Sequence, residues 1–343
     1  MNKICVLGAG SWGTALAILL SRNGAEVHLW GRVEDGIEDI KIHKENRRFL
    51  PGVELPDTVF PELDLKASLK GASIAVLAVP SQAVRQVAGQ IKEYLEAETV
   101  LVNVAKGLEI TTTMRMSQVA EDVLGKQIRQ RYAVLSGPSH AEEVGRDLPT
   151  AVTVAAFNKE TAYLVQDAFM SPVFRVYTNP DVPGVELGGA LKNIIALGTG
   201  IARGLGYGDN TAAALLTRGL MEIVRMGEAL GGDLRTFAGL SGIGDLVVTC
   251  GSIHSRNFRA GQLLGQGNTL EQTLQQIGMV VEGANTTRVV YKLSVEMGID
   301  MPITTACYGI LYQGKNPRDE VDRLMKRQKK HEMEEIVQDR QGW

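Results

Sequence analysis

A short apolar run that enters Gly8-Ala9-Gly10-Ser11-Trp12-Gly13 and continues as a helical pattern constrains this chain more than any other feature. Gly8 permits a tight turn, Gly10 lets backbone approach a pyrophosphate, and Gly13 lets the helix pack on the strand. Phosphates would sit at the positive helix start, near Ser11 and Trp12. In isolation such a glycine pattern is weak; opening a βαβ unit, it predicts a dinucleotide-binding fold. The competing reading is a turn that is glycine-rich only for packing.

The pattern that follows fits. Strands are expected at 3–7, 26–30, 73–79, 99–104, 132–135, 151–155 and 174–177, with helices between the early ones at 13–23 and 82–93. Continuous apolar strands such as Ile74-Ala75-Val76-Leu77-Ala78-Val79 suit a parallel sheet covered by helices on both faces. After Asn179-Pro180-Asp181-Val182-Pro183-Gly184 the strand signal stops. Helices are expected at 187–202, 210–230, 255–264, 269–276, 286–297 and 303–312. The fold class is therefore α/β: a Rossmann-type doubly wound sheet over 1–184, followed by an all-helical domain over 185–343.

Composition closes off other classes. A net charge of −3 lacks the basic surplus of a nucleic-acid binder. Three scattered cysteines offer neither a disulfide framework nor a zinc site, and no metal site is expected. Residues 4–20 imitate a secretory signal but hold three glycines and begin as a strand. No stretch approaches the ~20 apolar residues of a membrane span. A cytoplasmic protein is expected. From Lys315 to Arg340 eight basic and seven acidic residues read as a solvated helix or tail.

The second strand chooses the dinucleotide. It ends Leu29-Trp30-Gly31-Arg32, with no acid to hold a ribose 2′-hydroxyl. A guanidinium there suits a 2′-phosphate, so Arg32 favours NADPH. Glu34 and Asp35 moderate that preference, and NADH remains open.

Polar residues in apolar company mark the chemistry. Lys106 ends a strand, placed for a phosphate or carboxylate. Lys192 lies in an otherwise apolar helix with Gly188, Gly189, Ile195 and Ala196 one turn either side, so no local carboxylate pairs with it. Desolvation lowers the pKa of such an ammonium, as proton transfer requires; a lysine snorkelling from a helix edge is the bland alternative. Asn193 adds a second polar group. Asp245 is a lone carboxylate among glycines and aliphatics. Ser255 is a natural helix N-cap, and Arg256 in the first turn opposes the helix dipole unless an anion is bound.

Taken in order, Gly8-Ala9-Gly10-Ser11-Trp12-Gly13-Thr14-Ala15-Leu16-Ala17, Ala105-Lys106-Gly107-Leu108-Glu109, Ser136-Gly137-Pro138-Ser139 and Leu191-Lys192-Asn193 resemble the bacterial NAD(P)-dependent sn-glycerol-3-phosphate dehydrogenases. Gly242-Ile243-Gly244-Asp245-Leu246, Ser255-Arg256-Asn257 and Val281-Glu282-Gly283 fit the same family. The resemblance implies interconversion of dihydroxyacetone phosphate and glycerol 3-phosphate for phospholipid synthesis, usually by a homodimer. It implies Lys192 as proton acceptor and Lys106, Gly137, Ser139, Asp245, Ser255, Arg256 and Asn257 along the substrate, with Asn193 and Thr249 joining them. It further implies cofactor contacts from Ser11, Trp12, Arg32, Lys106, Ala141, Arg256, Val280 and Glu282. At position 12 the family also commonly carries tyrosine or phenylalanine. Two rivals stay open: a β-hydroxyacid dehydrogenase of the same layout, which would bind a carboxylate, and a non-catalytic NADP-sensing protein.

Overall fold

The computed structural model describes residues 2–328 and 331–332. Strands and helices alternate through the first half: β1 (Lys3–Leu7), α1 (Ser11–Arg22), β2 (Glu26–Trp30), α2 (Ile37–His43), β3 (Val59–Glu62), α3 (Leu65–Leu69), β4 (Ile74–Leu77), α4 (Val84–Ile91), β5 (Val100–Asn103), α5 (Met116–Leu124), β6 (Tyr132–Ser136), α6 (Ala141–Val144), β7 (Thr150–Ala156), α7 (Lys159–Phe169) and β8 (Phe174–Asn179). They form one sheet in the order β3-β2-β1-β4-β5-β6-β7-β8. The order reverses direction between β1 and β4, whose last residues, Leu7 and Leu77, lie side by side. Crevices of open α/β sheets bind ligands at such a switch point.

The sheet is not wholly parallel, which corrects the expectation. β6 and β7 run antiparallel, while every other neighbouring pair is parallel. The cause lies in the connection. A parallel crossover must carry the chain back along the sheet, but α6 has only four residues, about 6 Å of helix against ~16 Å for a five-residue strand. The chain stays at the carboxyl end of β6 and β7 starts back from there. Apolar side chains fill both faces, since β1, β4, β5 and β6 are buried along nearly their whole length.

From Val182 the described chain is helical: α8 (Val182–Gly204), α9 (Asp209–Ala229), α10 (Leu234–Phe237), α11 (Asp245–Gly251), α12 (Arg256–Gly265), α13 (Leu270–Ile277), α14 (Glu282–Met297), α15 (Pro302–Tyr312) and α16 (Pro317–Met325). Within the charged stretch beginning at Lys315, Pro317–Met325 forms α16, while residues 329–330 and 333–340 lie outside the described residues. Asp181 caps α8 by accepting from Gly184 N, and Pro183 occupies the first turn, where a missing N–H costs nothing. The helix is buried almost all round, as the axis of the second half.

Two contacts fix α8. Along one side it meets α12 backbone to backbone: a Cβ on Gly200 would overlap the Phe258 carbonyl, and one on Gly261 the Leu197 carbonyl. One turn further, Gly204 and Gly265 make the same approach to Gln262 and Ile201. On the sheet side Glu186, 6% exposed, accepts from Ser117 N at 2.8 Å, Ser117 Oγ at 2.6 Å and Tyr132 Oη at 2.7 Å, and pairs with Arg115 at 3.1 Å. Burial raises this carboxyl's pKa while the cation and donors oppose the rise. One carboxylate thus ties α8 to the start of α5 and to β6. Among the described residues no helix is long and apolar enough to cross a membrane, and all three cysteines are buried and free.

Candidate active site

The glycine turn is built for a diphosphate. Gly8 holds φ +121°, and a Cβ there would stand 2.6 Å from the Ala78 carbonyl oxygen; one on Gly13 would overlap the carbonyl of Gly8. Gly10 faces open space. It is the N-cap of α1 and has no side chain to cap with, so the first N–H groups of that helix remain available to an anion. Asn46, buried at 1%, clamps the turn from behind by donating to Ala9 O at 2.9 Å and Thr14 Oγ1 at 2.8 Å. The indole Nε1 of Trp12 is buried without a hydrogen-bond partner. These residues fit a dinucleotide.

Three loops at the carboxyl ends of strands meet the helical half beside this turn. Ser81, after β4, donates to both carboxylate oxygens of Glu282, N–H at 2.8 Å and Oγ at 2.6 Å. Glu282 opens α14, and burial raises its pKa against those bonds and the charge of Arg256. Val280, two residues earlier, accepts from Arg256 Nη1 at 3.2 Å. Lys106, after β5, donates to Gly137 O at 3.0 Å and to Asp245 Oδ2 at 2.7 Å. Ser139, after β6, donates to the same Gly137 carbonyl at 2.9 Å, and Ala141 begins α6.

At the centre Lys192 Nζ, buried in the middle of α8, donates to Asp245 Oδ1 at 2.5 Å and Thr249 Oγ1 at 2.5 Å. Thr249 passes its own proton to the Asp245 carbonyl at 2.6 Å and so must accept from the lysine. Desolvation brings the Lys192 ammonium down to about 8, with Asp245 resisting and Lys106 assisting. Burial alone would raise the Asp245 carboxyl; the two lysines hold it below the ordinary carboxylate range. Two cations share one buried anion, a net positive centre suited to an anionic substrate. Each ammonium has three N–H groups, and two on each are committed. One donor therefore remains on Lys192 and one on Lys106.

Asn193, next on α8, accepts from Asn257 Nδ2 at 2.8 Å, and Asn257 Oδ1 accepts from Gly283 N at 2.8 Å. That chain locks α8, α12 and the start of α14 together. Ser255 caps α12 by accepting from Phe258 N, leaving Arg256 exposed at the lip. Arg32 stands apart at the end of β2, with its fork on both oxygens of Asp35 at 3.0 Å.

Two family models match this chain. One describes the N-terminus of NAD-dependent glycerol-3-phosphate dehydrogenase and covers residues 3–162; the other describes its C-terminus and covers 181–322. The chain belongs to the NAD-dependent glycerol-3-phosphate dehydrogenase family. A glycerol-3-phosphate dehydrogenase (NAD(P)+) of Syntrophomonas wolfei is 67% identical over 343 residues, all of both chains. That of Moorella thermoacetica is 58% identical over 333 residues, 97% of this chain and 98% of the relative. The crystal structure of glycerol-3-phosphate dehydrogenase from Coxiella burnetii superposes with a TM-score of 0.91 at 40% identity, covering 95% of this chain and 99% of that one.

Within this glycerol-3-phosphate dehydrogenase fold, Lys106, Gly137, Ser139, Lys192, Asn193, Asp245, Thr249 and Asn257 converge, with Ser255, Arg256, Val280 and Glu282 on the adjoining wall. Sequence reasoning missed several neighbours. Ser81, the partner of Glu282, follows a strand as an isolated serine with no distinguishing context in the sequence. Asn46 lies outside every motif. His140, in the loop after β6, has a buried Nε2 without a partner, and burial and the Lys192 charge push its pKa down. Among the described residues no group of three or more His, Cys, Asp or Glu could hold a metal ion.

Proposed function

We propose that this protein interconverts dihydroxyacetone phosphate and sn-glycerol 3-phosphate, with Lys192 transferring the proton and bound NADPH supplying the hydride. The single observation that carries the catalytic assignment is the buried Lys192 ammonium, held on Asp245 and Thr249 with one N–H uncommitted. In reduction that N–H faces the carbonyl oxygen of the substrate and gives up its proton as the oxygen gains negative charge. In oxidation the neutral amine takes the hydroxyl proton. A group near 8 serves both directions at physiological pH.

Asp245 orients the two ammonium groups and keeps Lys192 from losing its proton too early. Lys106, Arg256 and the backbone at the start of α12, with Ser139, Ser255 and Asn257, receive the substrate phosphate and hydroxyls, and their binding energy places the reacting carbon. Ser11, Trp12 and the glycines at 8, 10 and 13 would hold the pyrophosphate, Ala141, Val280 and Glu282 would contact the cofactor beside the substrate, and Arg32 would face the adenosine ribose. NADPH is preferred to NADH because the second strand ends in Arg32, where an NAD site carries an acid for the 2′-hydroxyl. The division is 1–184 for cofactor and 185–343 for substrate and dimer contacts, in a cytoplasmic homodimer supplying phospholipid synthesis.

The test is a Lys192→Ala variant assayed with dihydroxyacetone phosphate and NADPH. Turnover should fall by about a hundred- to ten-thousand-fold while NADPH still binds. Retention of more than about a tenth of wild-type turnover would remove Lys192 from the proton path.

A further inference from the structure

The turn after β2 poses a charge problem for any phosphate at the adenosine 2′ position. Arg32 gives its fork to Asp35, Nε and Nη2 each at 3.0 Å, and its backbone N–H reaches the same carboxylate at 3.1 Å. The pair is close to neutral, and Glu34 beside it adds a negative charge. A guanidinium committed in this way offers a 2′-phosphate little net attraction.

A second guanidinium stands at the same turn. Arg48 donates from Nη1 to the Glu34 carbonyl at 2.8 Å and lies 4.8 Å from the centre of the Phe49 ring. It forms no ion pair among the described residues, and its charge helps hold the Asp35 carboxyl down. Its position is fixed from the cofactor side. Two residues earlier, buried Asn46 grips Ala9 O and Thr14 Oγ1 of the glycine turn, and its Oδ1 accepts from Phe49 N at 3.1 Å. The segment that clamps the pyrophosphate turn thus delivers Arg48 to the end of β2. With five N–H groups and one committed to Glu34, Arg48 keeps donors for a phosphate.

We infer that Arg48 is a ligand of the cofactor's 2′-phosphate and contributes more than Arg32 to the preference for NADPH over NADH. The inference rests on the NADPH reading above. Arg32 then serves to occupy Asp35, keeping that carboxylate from repelling the phosphate.

The test is equilibrium binding, read from quenching of the protein's tryptophan fluorescence by NADPH and by NADH. Wild type should bind NADPH the more tightly. Arg48→Ala should weaken NADPH by about ten- to a hundredfold and leave NADH within about twofold, as loss of a charge-assisted bond to one phosphate requires. Arg48→Lys should fall between, keeping the charge without the fork. Arg47→Ala, the same charge change one residue away, should alter neither. Wild type binding both cofactors equally would sink the NADPH reading and the inference with it. An NADPH preference that survives in Arg48→Ala, or equal loss of both cofactors, would overturn the assignment of Arg48 alone.

Discussion

Replacing Asp245 by asparagine keeps the shape of the central group and removes its charge. The carboxylate is 1% exposed and holds Lys192 at 2.5 Å and Lys106 at 2.7 Å. At an effective dielectric near 20, unit charges ~4 Å apart interact by about 4 kcal/mol, equivalent to roughly three pKa units. Losing the anion takes away support for the charged lysine, so its pKa moves down, and Lys106 pushes the same way. Lys192 should therefore titrate well below its value of about 8. At neutral pH it would be almost wholly unprotonated, and reduction of dihydroxyacetone phosphate, which needs that proton, should drop by roughly a hundredfold. The assay is the pH dependence of turnover in both directions, followed by nicotinamide absorbance. Wild-type oxidation should climb with a midpoint near 8 and reduction should decline through the same point. In Asp245→Asn both midpoints move to acid. A midpoint that stays near 8, or moves to alkali, would refute the claim that Asp245 sets the proton affinity of Lys192.

Two more variants probe the walls of the site. Arg256→Ala should raise the KM for dihydroxyacetone phosphate by about ten- to a hundredfold, far more than for NADPH; equal impairment with plain dihydroxyacetone would return the residue to the fold or the cofactor. Gly261→Ala forces a methyl into the Leu197 carbonyl, so it should cost about 1–3 kcal/mol in denaturant unfolding and raise the substrate KM as α12 shifts; Gly89→Ala, in open space on α4, should instead stabilise by roughly 0.5–1 kcal/mol, and equal effects from the two would argue against a tight seam.

How much was legible in the sequence follows from how local each cause is. β1 and β2 match their expected bounds, because apolar runs bounded by glycines carry their own limits. β3 went unseen: Val59–Glu62 is four residues long, contains Pro61 and pairs only with β2, so it needs neither alternation nor a proline-free run. The reversal at β7 depends on how far one turn of helix carries the chain, which composition does not encode. In the site, the isolation of Lys192 on its helix was readable, but its actual partner lies 53 residues away. Lys106 reads as a free cation until the fold brings Asp245 to it. Buried Glu186 and Asn46 look like any polar residue, since their partners come from other elements. Local chemistry shows in the letters, and long-range pairing does not.

The contact between α8 and α12 bears on how this enzyme can change over generations. Every replacement of a glycine starts by adding a Cβ, and at Gly200, Gly204, Gly261 and Gly265 that atom would land on a carbonyl of the facing helix. No conservative exchange exists there, so no graded series of slightly looser helix pairs is open to selection. One of these helices carries Lys192 and Asn193, the other begins with Arg256 and Asn257. On the roles proposed above, proton transfer and phosphate capture are thereby inherited as a single unit. A lineage that drifts toward a new substrate must do so through the side chains that point away from the seam, with the spacing between its lysine and its anion site left as it was.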